Sequence, residues 1–214
     1  MKPLRKLFVL GLLVTCVVAV SSASPRVYPP WCTVPTRITL VGSRAGVPDG
    51  TGAFTVVIRD LMNNPTPSAA VVVDLSNCAD LTLCSDQLDA SAAVSCAGKS
   101  MRKFTDASGS ATFTVQGGSN GAGQASTLAH GATLYANGVI LGSPTASALD
   151  LDGVNGVGID DLSVWLSDFG APGGPEFGRS DFDGDGKIDI NDLSLWVSAY
   201  GAGGSVQGCA ASCP

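Results

Sequence analysis

The chain has 214 residues, with 18 acidic side chains against 12 basic ones and a formal net charge of −6. No basic patch exists for nucleic acid or for an anionic membrane surface, so neither is an expected partner. Charge is also unevenly placed. Residues 24–149 balance seven acids with seven bases, whereas residues 150–192 set eleven acids against Arg179 and Lys187 alone. Carboxylates so crowded repel one another until cations bind.

Residues 1–23 read as a secretory signal. Lys2, Arg5 and Lys6 form a basic start, residues 7–20 an apolar run, and Ser21-Ser22-Ala23 a small-residue cleavage site. The run is short for a membrane span and nothing comparable follows, so an exported, secreted or cell-surface protein without membrane insertion is expected. Removing the signal leaves room for one modest domain plus a smaller module. It also leaves six cysteines: Cys32, Cys78, Cys84, Cys96, Cys209 and Cys213. An even count in an exported chain favours disulfides, though their pairing stays open. Cys209 and Cys213 either staple to each other or tie the tail, residues 203–214, back to the body.

Residues 24–145 carry an all-β pattern, with strands expected at 36–41, 53–59, 70–75, 100–105, 110–116 and 132–141. The last contains Asn137-Gly138, a hairpin turn between apolar strands. Residues 76–98, with three cysteines, read as a stapled loop. Several short strands with turn signals fit an immunoglobulin-like sandwich. The turn Asp60-Leu61-Met62-Asn63-Asn64-Pro65 and the later Asp106-Ala107-Ser108-Gly109 resemble those of bacterial Ig-like domains of the invasin type. That resemblance implies a scaffold or adhesive module without a catalytic site. Gly117-Gly118-Ser119-Asn120-Gly121 matches the G-x-S-x-G string of hydrolases, but the elbow needs a helix after the serine. Gly121-Ala122-Gly123 opposes one, and His130 is the only histidine, so the string reads as a flexible turn and no catalysis is expected.

The most specific signal is a repeat: the pattern that starts at Asp150 starts again, in register, at Asp181. A calcium loop takes oxygens at positions 1, 3 and 5, a backbone carbonyl at 7, a water-bridging group at 9 and a carboxylate at 12, with a sharp turn at 6. The second copy supplies Asp181, Asp183, Asp185, the Lys187 carbonyl, Asp189 and Asp192, with Gly186 at the turn. The first supplies Asp150, Asp152, the Gly156 carbonyl and Asp161. Val154 stands there in place of a ligand, Asn155 in place of the turn glycine, and Gly158 leaves position 9 empty. Ligand count therefore ranks the second loop above the first for calcium, with the first as a weaker second site. Residues 170–178 and 142–145, rich in Gly and Pro, oppose a helix entering either loop. The exits are helical in pattern. Leu162, Trp165, Leu166 and Phe169 form an i, i+3, i+4, i+7 stripe that Leu193, Trp196, Val197 and Tyr200 repeat, and each stops at a glycine. The two stripes are expected to pack on each other.

This duplicated loop–helix, with Asp-x-Asp-Gly at its start, aspartate at 12 and leucine directly after it, resembles a dockerin over residues 146–202. The resemblance implies a half-EF-hand module, folded by calcium, that docks onto a cohesin-type domain of another protein. In that family recognition falls at loop positions 10 and 11, here Ile159 and Asp160, and Ile190 and Asn191. The expected whole is mainly β with a small α module: a non-catalytic structural protein whose dockerin tethers an Ig-like domain in an extracellular assembly. The alternative is a polysaccharide-binding accessory protein. Sugar faces need exposed aromatics. Trp165 and Trp196 belong to the helix stripes, and Phe54, Phe104, Phe113 and Tyr135 sit in strands where burial is the default. Only Tyr28 and Trp31 are left for that role.

Overall fold

The computed structural model describes residues 26–120, 131–169, 177–201 and 208–213. The expected signal, His130 and the Gly/Pro stretch 170–176 lie outside them. The described chain is mainly β with a small helical part.

One layer is a five-stranded antiparallel sheet. Its strands are Ala70–Asp74 (β5), Ala93–Ser95 (β7), Ser100–Phe104 (β8), Thr133–Ala136 (β11) and Val139–Gly142 (β12), in the order β12-β11-β5-β8-β7. Period-2 alternation sends Val71 and Val73 inward, and the register sets Leu134 and Met101 on either side of Val73. The Asn137-Gly138 turn joins β11 to β12 with φ of 48° and 80°, the left-handed pair that a tight hairpin demands. Opposite lie Ala53–Val57 (β4) antiparallel to Ser110–Thr114 (β9), and Arg37–Leu40 (β1) parallel to Thr145–Ala148 (β13). A short hairpin of Ser43–Arg44 (β2) and Val47–Pro48 (β3) follows β1. Val41 links the two pairs: its N–H donates to the Val115 carbonyl and its carbonyl accepts from Gly117 N–H, both at 3.0 Å. Ile38, Leu40, Val56 and Phe113 from this side meet Val71, Val73, Met101 and Leu134 in one core.

The two turns singled out in the sequence are built on aspartates. Asp60 Oδ1 accepts from the amides of Met62 and Asn64, and Asp106 Oδ1 from those of Ser108 and Ser110. At Gly109 φ is +78°, and an added Cβ would lie 2.6 Å from the Ile58 carbonyl, so no other residue fits.

Several local expectations are revised. Gly117–Ser119 is no flexible turn but a strand (β10) paired with Leu81–Leu83 (β6). Residues 76–98 are stapled, though to the tail and not within themselves, and they hold the strands β6 and β7 where a loop was expected. Cys84 is bonded to Cys209 and Cys96 to Cys213, which ties the tail to the β body and rules out a local Cys209–Cys213 staple; Cys32 and Cys78 are thiols. Phe104 is 58% exposed, with the Arg102 guanidinium 5.3 Å from its ring centre. It stands at the end of β8, its burial unlike that of Met101 in the same strand. β13 straddles position 145/146, so the chain runs from the body into the repeat as one continuous strand.

Candidate metal centre

β13 hands the chain to the first loop through main-chain bonds. Leu149 N–H donates to the Leu40 carbonyl at 3.0 Å, and Ser119 N–H to the Asp150 carbonyl at 2.9 Å. The loop then wraps around its own carboxylates. Asp161 Oδ1 accepts from Leu151 and Asp152 N–H and its Oδ2 from Gly158 N–H, while Asp150 Oδ1 accepts from Gly153 and Asp152 Oδ1 from Val154. Each of these five bonds recurs in the second loop: Phe182 and Asp183 to Asp192 Oδ1, Asp189 to Asp192 Oδ2, Gly184 to Asp181 and Asp185 to Asp183. Backbone follows suit, with positive φ at Gly153 and Gly184 and again at Asn155 and Gly186. Asparagine tolerates that conformation, so its side chain at the turn does not break the loop.

Each loop exits into a helix, Ile159–Asp168 (α1) and Ile190–Gly201 (α3). The approach to the second loop is not wholly irregular: Phe177–Ser180 (α2) is one helical turn, with Gly178 inside it. Its Arg179 forks onto buried Asp168 at 2.6 and 2.7 Å, and Ser180 Oγ donates to the same carboxylate at 2.5 Å. α2 is thereby fastened to the end of α1.

The expected packing of the two apolar stripes is only half realised. Inward-facing positions are Asp161, Trp165 and Asp168 in α1 and Asp192, Trp196 and Ala199 in α3, because the position-12 carboxylate must face its own loop. That rotation leaves Leu166, Phe169, Val197 and Tyr200 exposed, with Phe169 stacked on Trp165 at 5.1 Å and Tyr200 on Trp196 at 4.8 Å. Trp165 and Trp196 share a second core with Leu149, Leu151, Val157, Phe182, Ile188 and Val41 of the β body. Ile159 and Ile190 open the two helices at 59% and 67% exposure, and Asp160 and Asn191 beside them are exposed as well.

Carboxylate oxygens of Asp150, Asp152 and Asp161 lie within 4.8 Å of one another, and so do those of Asp181, Asp183 and Asp185. Asp189 serves as the cap of α3, its Oδ1 accepting from Asn191 N–H at 2.8 Å. Lys187 donates its amide to Asp185 Oδ1 at 2.8 Å, and Gly156 is buried with φ +79°. Such oxygen-only groups suit hard cations, and a carboxylate that accepts from one to three amides still keeps a lone pair for a metal. Burial, reinforced by the neighbouring carboxylates, pushes Asp150 up to about 7 and Asp161 up to about 6. Burial raises Asp181 and Asp192 too, but the Arg37 guanidinium draws Asp181 back down. Desolvated anions in this arrangement call for a counter-charge.

Sequence reasoning missed the residues of the β body that hold the loops. Arg37 Nη1 is 3.9 Å from Asp181 Oδ2 with both side chains buried, and Thr39 Oγ1 donates to the Phe182 carbonyl at 2.9 Å. Gly118 leaves room for Asp150: a Cβ there would lie 2.8 Å from its Oδ2. No local motif marks these contacts, since each joins parts of the chain that are far apart in sequence. Comparison of the chain with family models, with curated proteins and with solved structures finds no match.

Proposed function

We propose that the two loop–helix repeats are a dockerin-type calcium module that docks onto a cohesin-type domain and tethers an Ig-like, non-catalytic β domain in an extracellular assembly. The observation that carries this reading is the recurrence, in register, of five amide-to-carboxylate bonds, onto Asp150, Asp152 and Asp161 in the first loop and onto Asp181, Asp183 and Asp192 in the second. A solvated turn gains nothing by repeating such a cage in register, whereas a pair of metal loops requires it. Asp150, Asp152 and Asp161 would hold one calcium ion, and Asp181, Asp183 and Asp185 with Asp192 a second. The cation would supply the charge that the buried carboxylates lack. Docking is assigned to Ile159, Asp160, Ile190 and Asn191, where each helix offers an exposed apolar residue beside a polar one. Two disulfides fit the oxidising setting in which such assemblies stand. No described helix is long and apolar enough to cross a membrane.

The test is capture by the full-length, calcium-loaded protein of a purified cohesin-type domain, run beside a pull-down on insoluble polysaccharide. Calcium-dependent binding to the domain is expected. Binding to polysaccharide alone, insensitive to chelator, would replace this reading with the accessory role, for which exposed Trp31 beside Tyr28 offers one aromatic face.

A further inference from the structure

Arg37 comes from β1, far in sequence from the repeats, and its guanidinium is held on every side. Nε donates to Ser147 Oγ at 3.2 Å, Nη1 to Thr145 Oγ1 at 3.4 Å, and Nη2 to the Gly178 carbonyl. Those three partners, two on β13 and one on α2, fix the plane of the fork beside Asp181. The loop backbone also rests on the arginine stem, since a Cβ at Gly184 would lie 2.9 Å from Arg37 Cβ and 3.1 Å from its Cδ. Asp181, Asp183 and Asp192 all act on Arg37 electrostatically and oppose the lowering that burial imposes on it, to about 10. Among the described residues the first loop has no such arrangement. Asp150, which corresponds to Asp181, faces Gly118 instead, and the charged groups that act on it are Asp161 and Asp152.

We infer that Arg37 is the resident counter-cation of the second loop: it holds the carboxylate cage on the β body and opposes the entry of a metal ion, so that it sets the calcium affinity of that loop. The inference rests on the calcium reading and adds a residue from outside the motif. A fixed positive charge next to a ligand carboxylate does two things. It stabilises the metal-free cage, and it repels a second cation in the same low-dielectric setting. Both effects follow from the charge. The planar fork, which lysine cannot copy, matters for the bonds to Ser147 and Gly178.

The experiment uses the full chain carrying Asp152→Ala, which cripples the first loop and leaves the second to be read alone. Calcium is titrated calorimetrically into this protein and into its Arg37→Gln and Arg37→Lys derivatives, and each is melted in chelator. Arg37→Gln is expected to melt lower in chelator yet to bind calcium roughly tenfold more tightly or better, because the repulsion is gone. Arg37→Lys keeps the charge, so its affinity is expected within about threefold of the parent. Unchanged or weaker calcium binding in Arg37→Gln, with native circular dichroism in excess calcium, overturns the inference while the calcium reading stands. A tenfold tightening in Arg37→Lys overturns it as well; if the glutamine form does not fold, Arg37→Met removes the charge in its place, and calcium binding no tighter than the parent's in that variant overturns the inference. Absence of calcium binding in the parent and in the wild type alike would sink the calcium reading itself.

Discussion

Five amide-to-carboxylate bonds in the first loop have counterparts in the second, yet the two loops stand in different electrostatic surroundings. The second, richer in ligands, leans on Arg37 and hangs its Phe182 carbonyl from Thr39. The first, poorer in ligands, packs buried Asp150 against the bare backbone of Gly118, and the charged groups acting on it are carboxylates. On the calcium reading proposed above, ligand count ranks the second loop as the better site. Charge balance works the other way, because a loop whose buried anions face further anions gains most from acquiring a cation. The lesson is that a repeated motif fixes the cage, while the surface it is seated on decides how far the charge of each cage is already balanced.

Removal of calcium should produce the largest effect. A site at a thousandfold excess of ion over its Kd contributes about 4 kcal/mol, so chelation of even one site should lower the melting temperature of the full chain on the order of 10 °C. Because Val41 packs in the same core as Trp165 and Trp196, the β body should melt together with the repeats. Calorimetric scans with calcium and with chelator measure it, and coincident melts would break the comparison at its root.

Next in size is the loss of the Cys84–Cys209 bridge, which spans 125 residues. Replacing both cysteines by serine is expected to cost about 2–5 kcal/mol. The effect should fall on one loop. Gly208, beside that bridge, sits so close to the first loop that a Cβ on it would be 3.2 Å from Gly156 N. A two-site calcium titration of the Cys84→Ser/Cys209→Ser protein should therefore show a weakened first site and an unaltered second. Equal weakening of both would mean that the tail supports the repeats as a whole.

A smaller effect isolates the charge of the first loop. Asp150 has its folded pKa raised to about 7, above the ordinary carboxylate value near 3.8. It therefore holds its proton more tightly in the folded chain. Its contribution to calcium-free stability is complete below about pH 4 and is lost as pH rises through about 7. Above that the buried anion destabilises the calcium-free fold, a cost shared with its partner Asp161. In chelator, Asp150→Asn should thus be no more stable than wild type near pH 4 and more stable at pH 8. In calcium the order at pH 8 should reverse, since a ligand has gone. Melts at both pH values check the sign, and a variant that is less stable at pH 8 in chelator would show that the field at Asp150 is already balanced.

Much of this was legible in the sequence where chemistry is tied to position. The loop aspartates, the Asn137-Gly138 hairpin and the alternating strands β5, β9 and β11 all announce themselves through local pattern. β13 did not, because Thr-Ala-Ser-Ala alternates only small side chains, without the bulky β-branched or aromatic residues that mark a strand, and its partner β1 lies far away in sequence. Gly117–Ser119 looked like a turn for a similar reason: its glycines are needed for close packing against β6 and Asp150, not for bending. The helix stripes misled in a different way. Apolar periodicity located the helices, but the buried face was set by Asp161 and Asp192, polar residues that a hydrophobic count passes over. Arg37 was the hardest to see, since a lone arginine in a strand has no local sign that a loop near the far end of the chain will close on it.

The smallest expected change in stability belongs to the pair that the two loops share most closely, Ile159 and Ile190. Both stand at the first residue of a helix and are mostly solvent-exposed, so truncating either should alter stability in calcium by less than about 0.5 kcal/mol. If they form the docking face, each contributes on the order of 1 kcal/mol or more to the complex once its side chain is buried by the partner. Ile190→Asp and Ile159→Asp should then each weaken capture of a cohesin-type domain, and the double variant should abolish it. Aspartate is acceptable at a helix start, where it favours the dipole, so helicity should be kept. It also places another anion near each cage, which is why Ile159→Ser and Ile190→Ser belong in the same series. A docking role predicts that serine and aspartate both weaken capture with calcium affinity unchanged for serine. A loss seen with aspartate alone, accompanied by altered calcium affinity, would trace the effect to the cages instead. Should only one of the two single variants lose capture, the partner reads a single repeat, and the symmetry of the two loops stops at their metal sites.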